Sequence, residues 1–174
     1  VYDGLTSATL NLGTAVFVGV VGTDACTINT ASATGTFASA NVGTAITVTV
    51  AGIAKAGVDN ANYSITQPTT TANITVRGLT VTASNQTKTY GDSALGTTSF
   101  TSSGLQNSET IGGVTLTSNS TLSTSGNYIA GSSTITPSAA TGGTFTISNY
   151  SVTYATGTLT VNAKALTVSN VTAS

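Results

Sequence analysis

The sequence predicts an all-β protein built as two small tandem antiparallel β-sandwich-like (Ig-like) domains in an elongated arrangement. Three observations predict it. Threonine supplies 39 of the 174 residues, and Thr is a strand former that tolerates water on one face. Apolar and polar residues alternate in short runs with a period of two, the pattern of half-buried strands. The chain also repeats itself with a period of about 87 residues, too long for a solenoid coil and suited to a small β domain.

The elements follow in chain order. Val1-Tyr2-Asp3-Gly4 opens on a turn. Residues 44–50 (TAITVTV) put Ile46, Val48 and Val50 on one face and Thr47 and Thr49 on the other. Asn62-Tyr63-Ser64-Ile65-Thr66 returns as Asn149-Tyr150-Ser151-Val152-Thr153, and Ile74-Thr75-Val76 returns as Leu159-Thr160-Val161. Leu79-Thr80-Val81 precedes the turn Tyr90-Gly91-Asp92, which echoes the opening turn. Residues 113–117 and 143–147 alternate like strands, and Gly- and Asn-containing clusters at 125–127 and 141–143 punctuate them as turns. No stretch carries a period of 3.6, so short irregular helical turns are the most helix expected.

The repeat places one domain at residues 1–77 and a second at 78–164. Residues 165–174 match the segment starting at Gly78, which precedes the turn of the second unit. They are expected to be a strand of a following repeat or of a neighbouring subunit, with Leu166, Val168 and Val171 on it. The first unit has its turn but no such strand before it. The chain therefore reads as a register-shifted piece of a tandem array, or as a subunit that lends its last strand to an open sheet edge.

Composition narrows the function. Only 5% of residues are charged and the net charge is −1, against roughly 25% charged in an ordinary globular domain. Four cations cannot make a basic face, so no nucleic-acid partner is expected. With no His and one Cys, no metal site and no cofactor are expected. Five scattered carboxylates are poor material for acid–base chemistry, so the chain is not expected to be an enzyme. Disorder fits badly, because 39% of residues are apolar and β-branched residues abound. Membrane insertion is not expected: the most apolar stretch, 15–21, is broken by Gly19 and falls short of the roughly 18 residues of a span, and the aromatics draw no barrel girdles. No signal peptide is visible.

The turn residues carry a resemblance. Val1-Tyr2-Asp3-Gly4, the 35–43 stretch, residues 61–64, Gln67-Pro68 and residues 72–75 resemble the YDG repeat of large bacterial surface proteins. Lys88-Thr89-Tyr90-Gly91-Asp92, residues 104–110 and the 149–161 ending resemble the related MBG repeat. The resemblance implies tandem repeats of secreted, filamentous-haemagglutinin-like adhesins at the bacterial cell surface, with no catalytic residues. Cys26 departs from it, standing where an aliphatic residue is usual, and so does the very low charge, which suits packing against copies of the same chain.

The candidate sites are few. Tyr2, Asp3, Gly4, Tyr90, Gly91 and Asp92 are expected to be structural turns, with Asp side chains binding nearby backbone N–H groups. Calcium would need clustered carboxylates, and Asp24, Asp59 and Glu109 stand singly. Tyr63 and Tyr150, with Tyr2 and Tyr90, are expected to anchor the core and tie down turns through their hydroxyls. Six Asn-x-Ser/Thr triplets begin at Asn62, Asn73, Asn85, Asn119, Asn149 and Asn170. They are glycan-acceptor patterns, although a Ser/Thr-rich chain generates several by chance; Asn62 and Asn149 also suit the turn before an anchoring Tyr. Cys26 shares parity with Ile28 and should point inward as a small hydrophobe; an intermolecular disulfide or a reactive thiol is the alternative. Lys55, Lys88 and Lys164 lack any visible isopeptide partner, and the Thr-x-Thr triplets are too irregular for a ligand-binding ladder.

The expected function is a non-catalytic structural repeat of an extracellular stalk or fibre, joined to other copies or adjacent repeats by strand addition. The alternative is a glycan- or glycoprotein-binding module for host or matrix sugars, with loops 59–62 and 125–128 as its contributors.

Overall fold

The computed structural model describes residues 1–92 and 94–171. Contacts divide the chain into two compact units, Val1–Val76 and Arg77–Ser174. Both are built of strands, with two short 3-10 turns as the helical content among the described residues.

In the first unit, β1 (Ser7–Ala8), β3 (Thr34–Phe37), β4 (Gly43–Ala51) and β6 (Thr69–Ile74) form a four-stranded sheet in the order β1-β3-β4-β6. A second sheet pairs β2 (Thr27–Asn29) with β5 (Ala54–Ala56). All of these pairings are antiparallel. The alternation of residues 44–50 places Val48 and Val50 in the core beside Tyr2, Ile53 and Ile74, while Thr47 and Thr49 face solvent. β4 bulges against β6 between Gly43 and Ile46. There Ala45 adopts φ 50°, and its N–H is taken up by Asn73 Oδ1 at 2.8 Å. A 3-10 turn, Asn60–Asn62, leads to Tyr63.

In the second unit, β10 (Ile111–Ser118), β11 (Gly131–Gly143), β13 (Gly157–Asn162) and β8 (Gln86–Thr89) form one sheet in the order β10-β11-β13-β8. The other has the order β12-β7-β9, with β7 (Arg77–Ala83) between β12 (Tyr150–Ala155) and β9 (Phe100–Ser103). Two pairings are parallel, β12 with β7 and β13 with β8, which adds a mixed character that alternation alone does not reveal. The core lies between the sheets: Ala83, Leu95, Ile135, Leu159 and Val161 cluster, and Tyr90, Leu116 and Tyr128 pack against them.

The strand expected over 143–147 does not form. β11 ends at Gly143, where Gly142 and Gly143 take φ 67° and 77°, and the chain passes through the 3-10 turn Ile147–Asn149. Phe145 instead sets its ring 6.3 Å from that of Tyr150, and Ile147 is exposed.

The units share a plan. The β3-β4-β6 order of the first matches β10-β11-β13 of the second. The Tyr2 N–H donates to the Thr75 carbonyl at 2.8 Å, and the Tyr90 N–H donates to the Asn162 carbonyl at the same distance. Residues 163–171, which follow β13, carry no strand and are exposed.

Candidate functional site

Each unit holds one tyrosine over one tight turn. In the first unit the Asp24 N–H closes the turn onto the Val21 carbonyl at 3.1 Å. The Val21 N–H donates to the Tyr63 hydroxyl at 2.9 Å, and that hydroxyl donates to Asp24 Oδ2 at 2.7 Å. In the second unit the Glu109 N–H closes onto the Gln106 carbonyl at 2.8 Å. The Gln106 N–H donates to the Tyr150 hydroxyl at 3.1 Å, which donates in turn to Glu109 Oε2. A backbone N–H at one position and a carboxylate three residues later thus grip one phenol in both units. Left-handed residues make the turns possible: Gly22 at φ 54°, and Asn107 and Ser108 at 48° and 59°.

The electrostatics of the first lock set its titration. The Val21 N–H alone would lower the Tyr63 hydroxyl, but the Asp24 carboxylate, burial and Cys26 together outweigh it and hold it above its ordinary value of 10.0. Tyr90 shifts the other way, because the hydroxyls of Ser123 and Ser125 bond to it and favour the phenolate. Lys55 donates its ammonium to the Tyr63 carbonyl and lines a small cavity with Cys26, Tyr63 and Phe17. Cys26 is a free thiol and only half-buried beside the equally half-buried Ile28, so it is less enclosed than its parity suggests.

The turn residues read from the sequence are placed as follows. Asp3 Oδ1 accepts the Leu5 N–H at 2.9 Å and Gly4 takes φ 74°. Gly91 takes φ 108°, and the Asp92 N–H donates to the Thr89 carbonyl at 3.0 Å. Tyr2 and Tyr150 are buried, whereas Tyr63 and Tyr90 are half-buried.

Of the glycan-acceptor triplets, Asn149 must be corrected. It is 1% exposed, so its amide is closed to any modifying enzyme once the unit has folded. Asn73, Asn85 and Asn119 are exposed, and each spends its Oδ1 on a backbone N–H at 2.8 Å, from Ala45, Thr158 and Thr134 in turn. Asn62 and Asn170 are exposed; Thr172, which completes the last triplet, lies outside the described residues, as do Ala173 and Ser174. Leu166, Val168 and Val171 are all exposed.

The carboxylate partners of the tyrosines were missed by sequence reasoning, which saw Asp24 and Glu109 as isolated. A signal existed: each stands five residues after a glycine, Gly19 and Gly104, at matching places in the repeat. Among the described residues no three His, Cys, Asp or Glu side chains gather where they could hold an ion, and no helix is long and apolar enough to cross a membrane.

Both halves of this repeated plan match known domain models. A YDG domain spans residues 1–72, and an MBG domain of the YGX type spans residues 79–160. The first unit is thus similar to a YDG domain and the second to an MBG domain, and they are called the YDG unit and the MBG unit below. No curated protein and no solved structure matches it. The two families are generally non-enzymatic modules, and the tyrosine locks fit that character: each phenol, carboxylate and backbone N–H is consumed in holding a turn.

One difference separates the units. In the MBG unit β7 fills the space between β9 and β12. In the YDG unit the matching segments, residues 15–18 and 63–68, carry no strand. Between them lies an open cavity of about 520 Å³, lined by Val16, Phe17, Val18, Ile28, Ile53 and Ile65 among others.

Proposed function

We propose that this chain is a non-catalytic structural repeat of an extracellular bacterial adhesin stalk or fibre, in which successive units join by strand addition. The observation that supports it is the recurrence of one plan, lock and ladder together, in consecutive YDG and MBG units. A lock that commits its polar groups to a turn serves rigidity. Low charge suits neighbour-on-neighbour packing, since few ions need desolvating. The partners on this reading are adjacent repeats or other copies.

The test is to express one, two and four head-to-tail copies and measure particle length by electron microscopy, alongside protease accessibility of the protein on intact source cells. Length that grows in proportion to copy number, with cleavage from outside, supports a stalk. Particles that do not lengthen, or a protein shielded from external protease, count against it.

A second reading, binding of host or matrix glycans, is favoured by a polar cleft of about 330 Å³ lined by Asn119, Ser120, Ser132 and Thr134, beside the Ser125–Tyr128 loop. Selective binding on a glycan array, lost in a folded Ser132→Trp variant, would support it; a blank array would remove it. Tyr128→Ala is the weaker probe, because Tyr128 also packs on the core.

A further inference from the structure

We propose that the MBG unit bears tension, and that its two end arms, residues 77–89 and 150–162, form a clamp loaded in shear when the chain is pulled from its ends. The proposal deepens the stalk reading above: it names the part of the unit that carries load and the direction in which it is strong.

The strand order builds the clamp. The chain enters the unit through β7 and β8 and leaves it through β12 and β13. The entering and leaving arms run side by side and parallel. Residues Tyr150 to Ala155 pair with Arg77 to Thr82, and Leu159 to Asn162 pair with Gln86 to Thr89. Arg77 and Asn162 therefore stand at opposite ends of the paired arms. Pulling them apart slides one arm along the other, so the bonds of both ladders lie across the load and stretch together. An antiparallel pair pulled at one end instead loses its bonds one at a time. The β11–β13 pairing offers that second geometry, because Gly131 faces Val161 and the start of one strand lies beside the end of the other.

Each arm is also anchored. Each contributes one strand with neighbours on both sides: β7 lies between β12 and β9, and β13 between β11 and β8. Their inward side chains Leu79, Val81 and Leu159 are buried in the core, and sliding would expose that apolar surface to water. The arms change sheets together, between β7 and β8 and between β12 and β13. There Asn85 Oδ1 accepts the Thr158 N–H at 2.8 Å, and a Cβ on Gly157 would run into the Ala83 carbonyl. A side chain thus bridges the arms where the ladders are interrupted, and a glycine sits where the two backbones touch. Beyond the last pair, the Tyr90 N–H donates to the Asn162 carbonyl at 2.8 Å and extends the contact.

Single-molecule force spectroscopy on the full chain, in a Cys26→Ala background, tests the clamp. In one arrangement the tethers sit at the two chain ends. In the other, one tether moves to a Thr124→Cys thiol in the exposed turn between β10 and β11, so that load enters beside the end of β13. Pulled from the ends, the unit is identified by a length gain of roughly 25 nm, about 86 residues at up to ~3.6 Å each less the folded arms. From Thr124→Cys the gain is roughly half that. Forced unfolding is governed by the barrier, so at one pulling speed the force from the ends should be at least about twofold the force from Thr124→Cys. Thr124→Cys should leave thermal unfolding of the chain unchanged. Equal forces, or a unit that yields more easily from its ends, overturn the clamp. Adding Asn85→Ala should lower the force from the ends and leave the force from Thr124→Cys unchanged; an equal fractional drop in both directions overturns the clamp as well. Either failure leaves the stalk reading standing if head-to-tail copies still lengthen in proportion; loss of that proportionality removes the stalk whatever the forces show.

Discussion

Tyr63 and Tyr150 do the same work with different acids. Tyr150 is buried and its hydroxyl meets the Glu109 carboxylate, so Tyr150→Phe leaves a carboxylate and the Gln106 N–H without that partner. Chemical denaturation should show a loss of about 1.5–3 kcal/mol, the range for a hydrogen bond to a charged group; an unchanged midpoint contradicts the lock. Tyr63 adds a pH dependence. Its hydroxyl is held above its ordinary value of 10.0, so the fold prefers the neutral phenol. That stabilisation is complete below about pH 10 and is lost as pH rises through the raised folded value. The gap in melting temperature between wild type and Tyr63→Phe should therefore be widest near neutrality and close in alkali. A gap constant into strong alkali would show that Asp24 is not its cause. At this scale the sequence was partly legible. Asp3 and the glycines of the turns sit within a few residues of what they hold, so local rules find them. Asp24 and Glu109 lie 39 and 41 residues from their tyrosines, and no local rule joins them. Asn149 followed the acceptor pattern while its burial depended on a distant packing.

Strand β7 shows what alternation can and cannot tell. Leu79, Val81 and Ala83 turn inward with a period of two, as the alternation read from the sequence turns Val48 and Val50 of β4. It is silent on which strands lie alongside, and the parallel pairings of β7 with β12 and β8 with β13 depend on long-range contacts. Residues 143–147 alternate too, yet two left-handed glycines stop the ladder first. Two predictions belong here. Leu159→Ala empties a fully buried site between the sheets and should cost about 2–5 kcal/mol in denaturant unfolding; a cost under 1 kcal/mol, the level of tolerated surface changes, contradicts the core assignment. Gly104→Ala meets both a positive φ and the β7 backbone, while Gly19→Ala meets only a positive φ. Gly104→Ala should lower the unfolding midpoint of its unit more than Gly19→Ala lowers that of the other. Equal losses would mean that the approach of β7 is not what excludes a side chain.

For the molecule as a whole, the repeat was the most informative feature of the sequence, because it made one unit a template for the other. The shared ladder order and the matched tyrosine locks extend that template to the fold. With nine charged residues in the chain, any assembly should depend weakly on ionic strength, since few ion pairs are there to screen. Sedimentation velocity on the full chain and on a chain ending at Asn162, across a range of concentrations and at low and high salt, tests the central claim most directly. The account predicts multimers that grow with concentration, persist in salt and vanish with the terminal segment. Monomers of both chains at every concentration would contradict assembly by strand donation.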